Sequence, residues 1–510
     1  MIGFTLSFPS LLATVALLYA VYYWYRHRNI PGGPRGVPFI GYAPFFGRNP
    51  QDKFLTFKEK YGKMFSIYLG PRLTIVLNDY EAVKEAFLGQ AEIFSGRSPG
   101  FVFEFLSLGE DGKTHGILLA EGEKLKKTRR FVLQSLRDLG MGKKRIQISI
   151  LEEAAVLVDI FRKNADQPFN PLPTLTASVA NVICALSWGR RYDHEDEDFK
   201  KILSGFDIIP TFLSQASVLL GYPMLRHLPG KLRRSWENLV IAVRWNQKFT
   251  DGIIEEHINE YQEGEPRDYV DAFVKQQRAE VAAGVDIEND ESIFNKEELR
   301  KTVGSFFGAG SETTTMTLYW AILFMAHHQV VQKRVQKEIA DNIPMGGPVT
   351  VEDKAKLPYV EAVCREIQRC ANVTPLGVLR CNLEETTLLG YRIPKRSNIM
   401  VNFLAIFRDP ALWDEPSRFM PERFLDKEGK LYEPPFFMPF SIGKRACIGE
   451  SLARMEIFLF FSNILQNFNI LPCEEFPLPS LEEYTTGISC RPLPYKIRLT
   501  TRETDPFHRV

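Results

Sequence analysis

Phe440-Ser441-Ile442-Gly443-Lys444-Arg445-Ala446-Cys447-Ile448-Gly449-Glu450 is the stretch on which the reading of this chain turns. It is a glycine-punctuated loop that sets one cysteine directly before a helical pattern, since Leu452, Met455 and Leu459 recur at helical spacing. The Cys447 sulfur is therefore expected at a helix N-terminus, among backbone N–H groups without intrahelical partners. The helix dipole, those donors and the neighbouring Lys444 and Arg445 are expected to lower the thiol pKa, and the thiolate is the form that binds a metal. Gly443 and Gly449 permit backbone angles and approaches that a β-carbon would block, which suits a loop pressed against a flat ligand. A small cysteine simply buried at a helix start is the competing reading of these residues.

Taken with its neighbours, Phe440 to Gly449 resembles the haem-binding signature of the cytochrome P-450 superfamily, F-x-x-G-x-R-x-C-x-G, at every specified position. The resemblance implies that Cys447 is the proximal thiolate ligand of the iron of haem b. It further implies that Arg445 pairs with a haem propionate, that Phe440 packs near the sulfur and tunes it, and that Gly443 belongs to the same cofactor loop. The fold class implied is mainly α with small β-sheets, the cytochrome P-450 fold, preceded by one N-terminal transmembrane helix. The activity implied is a haem-thiolate monooxygenase, with O2 as co-substrate and electrons from NADPH through a flavoprotein, NADPH-cytochrome P-450 reductase. Cytochrome b5 is a further partner on the same grounds.

Working outward, 510 residues would make three ordinary domains by length, but no break in composition divides the chain and one large domain is expected. A formal net charge of +1 lacks the lopsided basicity of a general nucleic-acid binder. The seven cysteines are scattered and odd in number, with no CxxC pair, as in a reduced cytosolic protein. Phe4 to Tyr25 carries no charged residue and, as a helix of about 22 residues, would span about 33 Å, close to a hydrocarbon core. Arg26, His27 and Arg28 follow, which predicts that this flank is cytoplasmic. The expected layout is a membrane anchor over 1–28, a Pro/Gly-rich linker over 29–50, and a catalytic domain over 51–510 that faces the cytoplasm from the endoplasmic reticulum membrane.

Along the catalytic body the spacing predicts a short helix over 52–62, strands over Met64–Leu69 and Arg72–Leu77, and a helix over 79–88. Residues 95–115 show no clear period and are expected to form a loop, a candidate lid. Long helical patterns cover 121–138, 146–164, 172–188, 196–212, 231–262, 267–283 and 297–327. Residues 206–228 form an apolar segment broken by Pro210, Gly221 and Pro223, which suits either a core helix pair or a second contact with membrane lipid.

Within the last of these helices, Gly308, Gly310 and the polar run Ser311 to Thr315 weaken the hydrogen-bond ladder, and a kink or groove is expected there. Ala309-Gly-Ser-Glu-Thr-Thr314 resembles the family's oxygen-binding helix, A/G-G-x-D/E-T-T/S. Carried over, Thr313 hydrogen-bonds the oxygen co-substrate and a water, and Glu312 belongs to the proton-delivery path.

Glu366-Ile-Gln-Arg369 puts an acid and a base on one helix face and resembles the family's E-x-x-R; Pro421-Glu-Arg423-Phe424 resembles its P-E-R-F. By that resemblance Glu366, Arg369 and Arg423 form a buried charge network that braces the loop leading to Cys447. Arg129 occupies the arginine position of the family's W-x-x-x-R, with Leu125 where the tryptophan stands, so one propionate hydrogen bond is lost. Arg97 and Arg380 fall where relatives place further propionate contacts. The run Lys124, Lys126, Lys127, Arg129 and Arg130, continued by Lys143, Lys144 and Arg145, reads either as a solvated face or as a surface that docks an acidic flavoprotein. The substrate is expected to be a lipophilic small molecule, a steroid, fatty acid or xenobiotic. Phe101, Phe103, Phe306, Phe307, Ala309, Leu376, Val378 and Ile488 are candidate pocket residues, and no fixed cation for a carboxylate stands out. Two other classes compete: a haem enzyme that rearranges peroxides without a reductase, and a non-catalytic haem sensor or carrier.

Overall fold

The computed structural model describes residues 28–502 other than 38, 39, 48, 99, 141–143, 263, 288, 290, 291 and 345, together with 14 and 17. The anchor expected over 1–28 thus lies outside the described residues but for isolated positions. Among the described residues no helix is long and apolar enough to cross a membrane.

The body is mainly helical. Gly122–Asp138, Lys144–Lys163, Leu172–Trp188, Glu197–Ala216, Lys231–Glu260, Tyr269–Ala282 and Lys296–His327 follow the long periodic patterns closely. The fourth of these runs on through Pro210 to Ala216, because Phe212, Leu213 and Ala216 bury there against Val102, Leu239 and Val243. The long helix Lys296–His327 is the axis of the molecule. From Thr314 to Ala326 every residue is buried, the mark of a helix enclosed on all sides. It packs on Leu172–Trp188, on Pro358–Ala371 and on Glu450–Asn467, the helix that follows the Cys447 loop.

A five-stranded sheet lies beside this bundle in the order Met64–Leu69, Arg72–Leu77, Asn398–Val401, Arg380–Cys381, Gly96–Arg97. Arg72–Leu77 runs parallel to Asn398–Val401, and the other pairs are antiparallel. The register sets Arg97 directly opposite Arg380. A separate hairpin, Tyr484–Thr486 with Cys490–Pro492, turns over 487–489 and carries Ile488 and Ser489 toward the long helix.

One expectation differs from what is found, and another is narrowed. Residues 95–115 are not a loop throughout, since Phe101–Ser107 is helical. Phe101 and Phe105, one turn apart, both close on Trp236, at 5.0 and 4.8 Å between ring centroids, and that pairing gives the segment a packed face that its composition hides. The long helix runs as one α-helix through Gly308 and Gly310, so that of the kink or groove expected there the groove is what is found, with Gly308, Ala309 and Gly310 lining a cavity. Gly310 instead admits a neighbour, since a β-carbon there would lie 2.6 Å from Ile183 Cδ1.

Candidate functional site

A cavity of about 1770 Å³ separates the Cys447 loop from the middle of the long helix. Cys447, Phe440 and Arg445 line one wall, and Ala309, Glu312 and Thr313 the other. The loop is held by its own backbone, with Cys447 N–H donating to Phe440 O at 2.9 Å and Ala446 N–H to Gly443 O at 2.9 Å. The ring of Phe440 carries the Arg454 guanidinium over its face at 5.1 Å. Gly443 is required by its positive φ of 77° and by a close approach to the chain: a β-carbon would lie 2.1 Å from Phe87 O. It seats the loop on the segment at Phe87 and does not itself line the cavity. Gly449 has no such crowding, its nearest neighbour being Cys447 Sγ at 4.0 Å.

The Cys447 thiol departs from the sequence expectation. Cys447 is exposed, opening into the cavity, yet the protein packed around that enclosed space raises its pKa, and only the Gly449 N–H and the more distant Arg129 pull it down. Lys444 is turned to Glu92, and Arg445 to backbone carbonyls. The sulfur sits just ahead of the helix Glu450–Asn467, where the Gly449 N–H reaches it, and a bound metal cation would supply the charge that holds it ionised.

Four guanidiniums, those of Arg97, Arg129, Arg380 and Arg445, line the same cavity, and among the described residues none forms a side-chain ion pair. Arg97 donates to the carbonyls of Leu118, Val378 and Leu379. Arg129 donates to Ala446 O at 2.7 Å, the carbonyl just before the cysteine. Arg380 reaches Ser441 Oγ and Ile442 O, with its guanidinium 3.6 Å from the centre of the Phe87 ring. Arg445 reaches Ser95 O, Ile117 O and Ala120 O. Burial first and mutual repulsion second push Arg97 down to about 9 and Arg380 down to about 8; burial, with repulsion from Arg129 set against the pull of Glu121, takes Arg445 to about 10. A guanidinium keeps its proton in a protein, so the repulsion persists until an anion relieves it. A sulfur on one side and unneutralised cations beside it suit haem b, which offers an iron and two propionates. Leu125, in place of the usual tryptophan, is buried against this wall and offers no hydrogen bond.

Across the cavity, Thr313 Oγ1 donates to Ala309 O at 2.8 Å. Glu312 is fully engaged, with Arg491 Nε on Oε1 and Arg491 Nη2 on Oε2, both at 3.0 Å, and the Ser489 hydroxyl on Oε1. Arg491 also holds Asp207 at 2.7 Å. Asp207, Ser489 and Arg491 are absent from the sequence reading because they meet Glu312 from remote elements. The next turn hides another acid: Glu456 Oε2 accepts from Thr314 Oγ1 at 3.3 Å, while its Oε1 has no partner.

Behind the cysteine, Arg369 clasps Glu366 through Nε and Nη2, both at 2.7 Å, and Arg423 Nε adds a third contact at 3.1 Å. The Arg369 and Glu366 side chains are 1% and 0% exposed. Their remaining N–H groups fasten the intervening chain, with Arg369 on Phe407, Pro416 and Arg418 carbonyls and Arg423 on those of Asp414, Glu415 and Arg418. Trp413 lies under both guanidiniums and packs on Phe424, Phe436 and Phe437, which lead into the Cys447 loop. Removing one member would strand a buried charge at a cost of about 3–5 kcal/mol.

Of the pocket candidates, Phe103, Phe306, Phe307, Ala309, Leu376, Val378 and Ile488 line the cavity, although Phe307 is mostly spent on Trp188 and Phe206. Phe101 does not line it: its ring is taken by Trp236 and by Arg226, whose guanidinium lies 4.7 Å from its centre. The basic run is also partly spent. Lys124 pairs with buried Glu298 at 2.5 Å, Lys126 with Glu123 at 2.6 Å, and Arg129 points inward. Lys127 and Arg130 stay outward, Arg145 donates to Arg267 O, and Lys143 lies outside the described residues.

Comparison with known proteins agrees with this geometry. The family described as Cytochrome P450 matches residues 31–499. The chain is 35% identical to Cytochrome P450 2B2 of Rattus norvegicus, over 93% of this chain and 94% of that one. It is 36% identical to Cytochrome P450 2B4 of Oryctolagus cuniculus, over 93% and 95%, and 35% identical to Cytochrome P450 2H2 of Gallus gallus, over 92% and 94%.

Proposed function

Because this chain belongs to the cytochrome P450 family and is a haem-thiolate monooxygenase, we propose that the cavity above Cys447 is its active site, with Cys447 the sulfur ligand of the haem iron. The carrying observation is the meeting of one cysteine sulfur and four unneutralised arginines in a single cavity under the Ala309–Thr314 turn. Haem b, O2 and NADPH-derived electrons through a reductase are the cofactors of the family. The readings as a reductase-independent peroxide-rearranging enzyme or as a haem carrier are not favoured.

When bound, haem b supplies the oxidising chemistry, with electron donation from the thiolate. The remaining roles fall to side chains. Arg97, Arg129, Arg380 and Arg445 would hold the propionates. Thr313, its own proton directed to Ala309 O, presents lone pairs to the cavity and holds a proton-donating water. Glu312 replenishes that water, and it does so only after letting go of Arg491. The apolar lining orients a lipophilic substrate and excludes bulk water.

The enzyme is further read as anchored in the endoplasmic reticulum membrane through residues 4–25, with its catalytic domain on the cytoplasmic side. Support for a lipid-facing surface comes from exposed Val37, Ile40 and Phe45 near the linker and from Val218, Met224 and Leu228 in the apolar segment. The two groups meet at the first hairpin, where Tyr42 N–H donates to Tyr68 O and a β-carbon on Gly70 would lie 3.2 Å from Tyr222 Oη. Lys127 and Arg130 serve the reductase, and cytochrome b5 would use the same face.

The test is the absorption spectrum of the reduced, carbon monoxide-bound protein. A thiolate-bound haem gives the red-shifted Soret band, and Cys447→Ser abolishes it. A histidine-type band in the unchanged protein would overturn the assignment.

A further inference from the structure

The irregular segment 108–121 enters the cavity wall from a polar knot at its outer end. His115 is 6% exposed, and both of its ring nitrogens face carboxylates. Nδ1 lies 2.9 Å from Glu298 Oε1 on the long helix, and Nε2 lies 3.0 Å from Asp111 Oδ2 on the segment itself. A carboxylate only accepts hydrogen bonds, so each nitrogen has to donate, and an imidazole donates from both only as the imidazolium.

The surrounding charges close around that cation. Glu298, 1% exposed, also accepts from Lys124 Nζ at 2.5 Å and from the Gly116 N–H at 2.9 Å, so the anions Asp111 and Glu298 meet the cations His115 and Lys124. Lys113 stands beside Asp111, and the Tyr269 hydroxyl stands in the field of Glu298. Glu110, Glu297 and Asp251 are taken by Arg300, and Lys301 meets the segment only through its stem, packed on Gly116. Without its proton His115 would turn a lone pair on one of its two carboxylates, and Asp111, whose side chain is 43% exposed, is the one free to swing into water. Inward from the knot the same strip becomes the wall, with Ile117, Leu118 and Leu119 lining the cavity. Arg445 donates to Ile117 O and Ala120 O, and Arg97 to Leu118 O.

We propose that His115 is a proton-operated latch: as the imidazolium it pins the segment 108–121 to the long helix, and without its proton the segment loosens and opens the wall at Ile117 and Leu118 to an incoming lipophilic ligand. The proposal rests on the monooxygenase reading only in taking this cavity as the one that substrate enters. The latch acts at a distance from the chemistry, because His115 touches neither the cysteine loop nor the Ala309–Thr314 turn; it acts through the two residues that separate it from Ile117.

The experiment compares the haem-loaded wild type with His115→Gln and Asp111→Asn from about pH 5.5 to about pH 9, a span that covers histidine side chains in proteins. Amide hydrogen exchange over 108–121 is read as protection, corrected for the intrinsic pH dependence of exchange. Entry of pyrene, an uncharged apolar probe, is followed by the quenching of its fluorescence on reaching the haem. Wild type should lose about tenfold or more of its protection as pH rises, the worth of one charge-assisted hydrogen bond, and pyrene should enter faster over the same step. His115→Gln, which has no titrating proton, should show neither change. Asp111→Asn, made at a half-exposed position, should shrink both steps, and it decides the matter if the glutamine variant does not fold. A level profile of either quantity in wild type, or an undiminished step in a folded variant, would overturn the proposal. The reduced carbon monoxide spectrum of the same preparations separates the two claims: an absent red-shifted band counts against Cys447, and a level pH profile with a normal band counts against the latch alone.

Discussion

Arg491 grips Glu312 with two parallel hydrogen bonds of 3.0 Å, from a hairpin 179 residues further along the chain. The carboxylate beside Thr313 is therefore not a loose proton carrier but one end of a clasp whose other end is Asp207. Bidentate guanidinium pairs are strong and directional, so in the proposed mechanism proton delivery by Glu312 has to wait on the release of Arg491. Glu312→Gln is expected to lower product formed per NADPH consumed and to slow turnover by about a hundredfold, the usual scale of one general acid. Arg491→Met is expected to relax the clasp, raising the rate of NADPH consumption while part of the flux escapes as hydrogen peroxide. Product, NADPH and peroxide counted together check both, and an Arg491→Met enzyme with wild-type coupling would refute the clasp.

Glu456 predicts a pH dependence of stability. Its carboxyl is wholly buried, which pushes its pKa up to about 8, with only the Thr314 hydroxyl pulling the other way. Its contribution to stability is complete below the pKa of an unfolded glutamate, about 4.3, and is lost as pH rises through about 8. Between those limits the unfolded chain gives up a proton that the folded one retains, at roughly 1.4 kcal/mol per pH unit as an upper slope. Glu456→Gln keeps the shape without the charge. It should flatten the fall in melting temperature between pH 5 and 8 and melt higher than wild type at pH 8. Identical profiles for the two proteins would exclude Glu456 as the source.

What the sequence discloses here is whatever is encoded locally. Helix limits such as 172–188 follow from a spacing carried by neighbouring residues, and Leu172–Trp188 is found there. The charge network is legible because Glu366 and Arg369 share a helix face and Arg423 stands in a short recognisable run. What stays hidden is set by contacts between distant elements. Phe101 looks like any pocket aromatic until Trp236 and Arg226 close on it. Lys301 and Glu456 read as ordinary charges on helices until burial leaves Lys301 Nζ and Glu456 Oε1 without partners. The fall in the Cys447 pKa expected from Lys444 and Arg445 fails for the same reason, since those cations are drawn off by Glu92 and by the carbonyls of Ser95 and Ile117.

The arginine cluster should reverse its effect on stability with haem content. Arg97 and Arg380 face each other across two paired strands, an arrangement that like charges disfavour. In haem-free protein Arg380→Met is expected to raise the melting temperature, because it removes one of several buried, mutually repelling cations. In loaded protein the same change removes one of the proposed propionate partners and should lower the melting temperature and speed haem loss. Calorimetry on both forms checks the reversal. A variant less stable in both forms would mean that the Arg380 bonds to Ser441 Oγ and Ile442 O matter more than its charge.

The basic face makes the last prediction, and the pairing of its lysines decides which of them count. Long-range attraction to an acidic flavoprotein depends on outward charge, and it weakens with salt because the Debye length is about 8 Å at physiological ionic strength. Lys127 and Arg130 point outward, whereas Lys124 is committed to buried Glu298. The double change Lys127→Gln with Arg130→Gln should therefore slow the first electron transfer several-fold at low salt and reduce its dependence on ionic strength. Lys124→Gln should instead lower the melting temperature, by leaving Glu298 with fewer cationic partners, and leave the salt dependence of reduction as it was. Stopped-flow formation of the carbon monoxide complex, run across a salt series, separates the two. If both variants lose the same share of the salt dependence, docking reads the summed charge of the face, and the pairing of Lys124 with Glu298 does not remove it from the partner's view.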